Sequence, residues 1–179
     1  MAFESTKVIL GYDGSLNTAP VGTPVPATLT TPLDVAWINV GWCHIDGHSF
    51  NPNLEAPDPI KAWPRGETVK RPAPTLSPEF TFQLIQHTDA LPLLVNPNVE
   101  MAYLLEYRDT ETSSLHRLIM PRSTITDMAE IAFNTEDPIG HEITVGCTRD
   151  DLAVVGTVTG FTFAFQVPDT AGLTVVHSY

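Results

Sequence analysis

The 179-residue sequence has few basic residues, since nine Lys and Arg stand against 21 Asp and Glu and give a net charge of −12. A chain with this balance repels phosphate backbones and anionic membranes, so specific binding of DNA or RNA is disfavoured. Charged residues make up only 17% of the chain, below the usual quarter. This low content is typical of a subunit whose surface is partly hidden in an assembly.

Cysteines and long apolar runs are also scarce. Cys43 and Cys147 lie far apart and neither belongs to a CxxC motif, which predicts two reduced thiols rather than a disulfide framework or a zinc site. No window approaches the roughly 18 uninterrupted apolar residues of a membrane-spanning helix. The N-terminus also lacks the basic start and apolar stretch of a signal peptide. We therefore expect a soluble protein, without stable membrane insertion, that is made in the cytoplasm.

The common catalytic motifs are missing. The sequence contains no G-x-S-x-G, no G-x-x-x-x-G-K-[ST] and no H-E-x-x-H, the signatures of a nucleophile elbow, a phosphate loop and a zinc protease. The segment 11–15 is rich in glycine, but neither a Lys nor a predicted helix follows it, so we predict a turn there. The hypothesis at this point is a protein that is not an enzyme and has no catalytic residues.

Two clusters of polar residues resemble ligand sites only loosely. Cys43, His44, Asp46 and His48 could meet at one metal ion only if a tight turn at Gly47 brought them together, because residues four apart on a strand lie about 13 Å from each other. The adjacent pair 150–151 points to opposite faces if it lies on a strand, and we predict a solvated loop there. We expect no metal site and no cofactor.

Strand-like patterns dominate the chain. Phe80, Phe82 and Leu84 alternate with polar residues, which is typical of a half-buried strand. In the segment 160–167 three phenylalanines recur at every second position, so we predict a single strand with one apolar face. A short helix is predicted at 89–94, with Thr88 as its N-cap. Further strands are predicted at 36–45, 101–108, 115–121, 123–134 and 141–148. The periodicity of 101–108 fits a helix or a strand, and a strand is preferred because a turn-like segment and a second apolar run follow it and suggest a hairpin.

Sixteen prolines mark the connections, because proline is excluded from helix interiors and central strands. They concentrate in two stretches, 17–32 and 51–78, which we predict to be extended or looped segments and describe as proline-rich loops. The segment 168–179 is either a terminal strand or an arm. The expected fold is a single domain over residues 1–179, mainly β, with two packed antiparallel sheets that form a sandwich or barrel, one short helix and long loops.

Three tryptophans allow a second interpretation. Trp37, Trp42 and Trp63 could form a platform on which sugar rings stack. Trp37 and Trp42 are an odd number of residues apart, so a regular strand would place them on opposite faces unless Gly41 forms a bulge. A monomeric β-sandwich module that binds carbohydrate or another cell-surface ligand is therefore the alternative hypothesis.

An ordered series of motifs points to one family. It comprises Val40-Gly41-Trp42, Asp46-Gly47, Ile60 to Trp63, Gly66 to Arg71, Phe80 to Gln86 and Arg117 to Ser123, which includes Pro121. This series resembles the major tail tube proteins of long-tailed (siphovirus-type) bacteriophages, particularly those of actinobacterial hosts, and the likeness spans residues 36–165. Two departures are Gln86, where the family often carries Glu, and the unusually proline-rich segment 71–78.

The resemblance implies a structural subunit of the virion. In that family six subunits form a ring, and rings stack into a hollow conduit through which double-stranded DNA passes without specific binding. The implied partners are further copies of the chain, a tape-measure protein, and tail initiator or terminator proteins. The acidic balance suggests a lumen that repels DNA. The resemblance implies core or interface roles for Gly41, Trp42, Asp46, Gly47, Ile60, Trp63, Gly66, Arg71, Phe80, Phe82 and Pro121.

Overall fold

The computed structural model describes residues 11–41, 43, 47–55, 58–61, 63, 68–70, 73–85, 96, 98–109, 112–129, 141–169 and 172–179. In this part of the chain 62% of the residues are in strands and none is in a helix, which confirms the predicted mainly β class. The predicted helix at 89–94 lies outside the described residues. The strands are β1 (Gly11–Pro20), β2 (Ile38–Asn39), β3 (Ser49–Asn51), β4 (Leu54–Glu55), β5 (Ile60–Lys61), β6 (Thr68–Lys70), β7 (Thr75–Leu76), β8 (Glu79–Leu84), β9 (Met101–Asp109), β10 (Leu115–Met128), β11 (His141–Cys147), β12 (Asp150–Val155), β13 (Val158–Phe161), β14 (Ala164–Pro168) and β15 (Thr174–Ser178).

Nine of these strands form one antiparallel sheet with the order β2-β1-β9-β10-β11-β8-β3, and β14 joins it through β10 and carries β15. The long strand β10 belongs to two halves of the sheet. Its first part pairs with β9 and β14, and its second part, from Ser123, pairs with β11. The pairing with β9 is irregular between Met120 and Ser123, where Pro121 has no N–H to donate to a neighbouring strand. The two halves are thereby free to pack on each other, as in a β-sandwich.

The first core lies between the two halves. Phe80, Phe82 and Leu84 of β8 are fully buried there, which confirms the alternation predicted for this strand. The rings of Phe80 and Phe82 stack at 5.7 Å, and Phe82 lies 5.9 Å from Tyr103 on the opposite half. The remaining buried members are Leu16, Val40, Met101, Leu118, Met120, Ile143, Val145, Cys147 and Phe163.

A second core covers the other face of the first half. The segment 21–37 and the hairpin of β12 and β13 lie over this face and bury Trp37, Ala102, Leu104 and Ile119, among others. A parallel bridge between Val25 and Val155 joins the two covering pieces. The first half of the sheet therefore has apolar material on both faces.

The described residues of the connection from β3 to β8 pair as a β-ribbon, in three short pieces. Phe50 pairs with Phe80, Leu54 with Leu76, and Ile60 with Lys70, so each step forward on one strand is matched by an equal step back on the other. The prediction of a loop at 51–78 is therefore wrong for β4 to β7, which pair in antiparallel fashion, and Trp63 lies between β5 and β6.

Other local predictions are also corrected. The segment 11–15 is part of β1, which pairs with β9 from Gly11 to Pro20, so neither the predicted turn nor a loop beginning at Asn17 is present. Of the strand predicted at 36–45, the described residues form β2 and an isolated bridge between Cys43 and Leu84, whereas residues 42 and 44–46 lie outside the described part of the chain. The strands predicted at 115–121 and 123–134 are one strand, β10, as far as Met128. The C-terminal segment is not an arm, because β15 pairs with β14 along its length.

The predicted strand at 160–167 is divided between two sheets. β13 ends at Phe161 and β14 begins at Ala164. As a result, Phe161 packs in the second core, Phe163 packs in the first core, and Phe165 is only partly buried against the first core. A period of two describes each short strand but does not extend across the break between them.

Candidate functional site

One face of the second half of the sheet points away from the first core, and we call it the threonine-acid face. The odd-numbered residues of β8 and the even-numbered residues of β11 point away from the first core, because Phe80, Phe82, Ile143 and Val145 point into it. The face is completed by the end of β10. It consists of Glu79, Thr81, Gln83, Thr124, Thr126, Asp127, Glu142, Thr144 and Gly146.

This face is polar and acidic. The hydroxyls of Thr81 and Thr144 lie 2.9 Å apart and share a hydrogen bond across β8 and β11. A Cβ at Gly146 would come within 2.8 Å of the Thr126 methyl group, so glycine allows Thr126 to lie close to the sheet. The strands β8 and β11 and the residues 123–128 contain no Lys or Arg. Such a face offers small hydroxyls and carboxylates to its surroundings, with no cation.

The β-ribbon exposes apolar side chains toward its tip. Leu54 and Ile60 are largely exposed, and Trp63 is 94% exposed. A two-stranded ribbon is marginally stable by itself in water, and exposed large apolar groups favour burial against a partner. The ribbon therefore has the properties of an arm that contacts another molecule.

The segment 60–71, which contains β5, Trp63 and β6, is the basic part of the sequence. Residues 60–71 contain Lys61, Arg65, Lys70 and Arg71, which are four of the nine basic residues, and one acid, Glu67. This gives the segment a charge of +3 and leaves −15 for the rest of a chain whose net charge is −12. The net charge of this segment is thus opposite in sign to the net charge of the remainder of the protein.

A buried cation fixes the segment that covers the second core. The Arg117 side chain is only 2% exposed. Its Nε donates to the Glu106 carboxylate at 2.8 Å, and its two terminal nitrogens donate to the carbonyls of Thr28 and Thr31, each at 3.1 Å. Gln166 adds a bond of 2.7 Å from Nε2 to the carbonyl of Pro26. The proline-rich segment is thereby held on the sheet by polar groups from β10 and β14.

The residues to which the resemblance gave roles do not form one site. Phe80, Phe82 and Pro121 are buried, and Ile60 and Trp63 lie on the exposed ribbon. Gly41 has a φ of 113°, a conformation that favours glycine, and the carbonyl of Gly47 accepts the N–H of Gln83 at 3.0 Å. Trp42, Asp46, Gly66 and Arg71 lie outside the described residues. The structure therefore separates these positions into core, ribbon and loop.

The other polar clusters do not assemble a reactive centre. Among the described residues, no group of three or more His, Cys, Asp or Glu side chains is placed to hold a metal ion. Cys43 and His48 are described, whereas His44 and Asp46 are not. The Asp150 side chain is 3% exposed and lies 3.8 Å from Arg122, so the prediction of a solvated loop is wrong for Asp150, although Asp151 is exposed.

Burial makes both thiols unreactive at neutral pH. It raises the pKa of Cys43 and of Cys147 from 9.0 to about 11. Because the thiolate is the reactive form, the reactive fraction at pH 8 falls from about one in ten to about one in a thousand. We expect Ellman's reagent to react about 100-fold more slowly with the native protein than with the unfolded protein at pH 8, and faster as the pH approaches 11. Rapid reaction of both thiols at pH 8 would contradict this burial.

Within the part of the chain that the structure describes, no helix is long and apolar enough to cross a membrane. Comparison of the sequence with protein-family models finds no match, and comparison with curated proteins finds none either.

Proposed function

We propose that this chain is the major subunit of a phage tail tube, in which hexameric rings stack into a hollow conduit for double-stranded DNA. The observation that carries the proposal is the threonine-acid face, whose strand residues include three exposed carboxylates and no Lys or Arg. It occurs in a protein whose other sheet half is covered on both sides by apolar material. The threonine-acid face therefore differs in polarity from both faces of the first half of the sheet.

The chemistry of this wall suits the passage of DNA. Glu79, Asp127 and Glu142 are exposed on it and repel phosphates over roughly the 8 Å that physiological salt allows. Short hydroxyl side chains keep the wall hydrated without offering cationic contacts. A lumen lined by one sign of charge also focuses its field, so six copies of this face would repel the passing genome from every side.

The exposed ribbon suits assembly. Head-to-tail contacts that close by rotation produce rings, and repeated stacking of rings produces a tube. Edge strands that stay unpaired invite uncontrolled association, whereas ring closure pairs or covers them. In this proposal the ribbon links copies of the chain, and a tape-measure protein and initiator or terminator proteins set the length and ends of the tube.

The alternative function is a monomeric module that binds carbohydrate. It is favoured by the exposure of Trp63, which could stack on a sugar ring. Trp37 does not contribute to such a platform, because it is buried and its Nε1 donates to the carbonyl of Pro24 at 3.1 Å. Binding of glycans by a protein that remains monomeric at all concentrations would favour this alternative.

Size-exclusion chromatography with light scattering, followed by negative-stain electron microscopy, tests the proposed function. Concentrated protein is expected to form hexameric rings or hollow tubes. A protein that remains monomeric at high concentration, also when supplied with preformed tail fragments as nuclei, would contradict the proposal.

Reversal of charge on the threonine-acid face should convert a repelling wall into a binding one. We expect assembled Asp127→Lys/Glu142→Lys protein to retain short DNA duplexes in low salt at least about tenfold more tightly than assembled Asp34→Lys/Asp169→Lys protein, whose changes lie outside both the ribbon and this face. Both pairs are exposed, and both variants change the charge by the same amount. Filter binding measures the affinities, and equal retention by the two variants would contradict the assignment of this face to the lumen.

A further inference from the structure

A cavity of about 220 Å³ lies on the side of the molecule that carries the second core. Its walls include Pro24 and Val25 after β1, Trp37, and Phe161 of β13. The strand β12 forms its rim, where Leu152 is 83% exposed. The cavity is separate from the threonine-acid face, which belongs to the other half of the sheet.

The lining of the cavity is mainly apolar and includes one carboxylate. Among its described lining residues, Asp150 alone carries a charge. This carboxylate accepts the N–H of Leu152 at 3.0 Å, and its ion pair with Arg122 is long, at 3.8 Å. An apolar space with a carboxylate in its wall fits a flat apolar group that carries an N–H donor. The indole ring of tryptophan is such a group.

The ribbon tip presents an indole with matching surroundings. Trp63 is 94% exposed and is flanked in sequence by Lys61 and Arg65. On the cavity side, Asp150 is joined at 3.8 Å to Arg122, which also pairs with Glu100, and the next residue, Asp151, is exposed and pairs with Arg149. The net charge of +3 over residues 60–71 complements the Asp150 carboxylate in the cavity wall and the net charge of −15 on the remainder of the chain.

We propose that Trp63 of one copy inserts into the cavity beside Trp37 and Asp150 of a second copy. The exposed indole of Trp63 shows that it does not occupy the cavity of its own chain. The inference rests on the proposed function and deepens it, because it names the surface that receives the ribbon. Tryptophan and arginine are the residues that most often carry the binding energy of an interface, and they do so when they fill a pocket.

Intermolecular disulfide formation tests the insertion while retaining the indole. In the Lys61→Cys/Leu152→Cys variant, one new thiol lies two residues from Trp63 and the other lies on the rim. The control is Lys61→Cys/Leu173→Cys, since Leu173 is also exposed but lies in the turn before β15. Because a disulfide requires Cα atoms about 4.4–6.8 Å apart, we expect at least about tenfold more linked oligomers from the first variant under mild oxidation.

Removal of the indole ring of Trp63 is the second part of the experiment. Adding Trp63→Ala to the first variant is expected to lower the yield of linked oligomers and to weaken self-association about 30-fold, as for a central interface residue. Trp63→Phe should retain part of the affinity. Because Trp63 is exposed, circular dichroism and thermal unfolding should remain unchanged, which separates an interface effect from a folding defect.

The outcomes distinguish this inference from the proposed function. Tubes that form without selective linkage at Leu152, or without dependence on Trp63, would overturn the insertion and leave the tube proposal standing. A disulfide confined to monomers would also overturn it, since the ribbon would then reach its own cavity. Failure of the unmodified protein to assemble under any condition would instead overturn the proposed function.

Discussion

Replacement of Arg117 by Ala is expected to lower the free energy of unfolding by about 3–5 kcal/mol, the usual cost of removing one partner of a buried ion pair. The side chain is 2% exposed and donates to Glu106 and to the carbonyls of Thr28 and Thr31. Its loss leaves a partly buried carboxylate without its cation and two loop carbonyls without these donors. For a domain of this size the change corresponds to a fall of about 10 °C in Tm.

Arg149→Ala is the matched control for this prediction. Arg149 also pairs with a carboxylate, that of Asp151, at 2.7 Å, but both side chains are largely exposed. Exposed pairs contribute about 0–1 kcal/mol, so this variant should unfold almost as the unmodified protein does. Urea unfolding followed by tryptophan fluorescence measures both. Equal stabilities of the two variants would show that Arg117 does not hold the covering segment in place.

Phe82→Ala is expected to destabilise the protein by about 3–5 kcal/mol, as large-to-small changes at buried phenylalanines do. Phe82 is fully buried and its ring contacts Phe80 and Tyr103, which lie on opposite halves of the sheet. The substitution therefore leaves a cavity in the first core, between the halves. Because Thr81 and Gln83 flank Phe82 on the same strand, this core also positions the threonine-acid face.

Phe165→Ala removes the same atoms from a half-buried position and serves as the control. Its cost should be clearly smaller, because less apolar surface is transferred to water and the site can refill with solvent. Chemical denaturation of both variants gives the comparison. A loss at Phe165 equal to or greater than that at Phe82 would place the centre of the first core elsewhere.

The sequence predicts the strands that have one buried face and misses those whose burial is set by distant partners. The alternation of Phe80, Phe82 and Leu84 was sufficient for β8. By contrast, β1 is rich in Gly, Asp, Asn and Thr, which indicates a turn, yet Thr18 is fully buried and its hydroxyl donates to the carbonyl of Ala102 at 3.1 Å. Such a long-range hydrogen bond leaves no local pattern in the sequence.

The high proline content of 51–78 led to the prediction of a loop where the described residues form a ribbon, and the reason is physical. Proline disrupts a central strand because it removes a ladder hydrogen bond, but it is tolerated at edges. Both strands of a two-stranded ribbon are edges, so the prolines of 51–78 do not prevent pairing. The division of 160–167 between two sheets could not be predicted from the sequence either. The phenylalanine alternation continues across the point where the chain passes from one core to the other.

The candidate site was predictable only in its chemistry. The net charge of −12 suggested an acidic lumen, but which carboxylates share a face depends on the pairing of β8, β10 and β11. Likewise, the Arg117 clamp and the cavity beside Trp37 bring together residues that are distant in sequence. No spacing rule identifies these contacts, because they arise from the packing of the sheet and its covering layer.

A cryo-electron microscopy reconstruction of the assembled protein tests the central claim most directly. The account predicts a hollow tube of stacked hexameric rings, with Thr81, Thr144 and Glu142 facing the lumen and the ribbon of each copy in contact with another. A solid filament, or a tube in which the threonine-acid face lies on the outer surface, would contradict it.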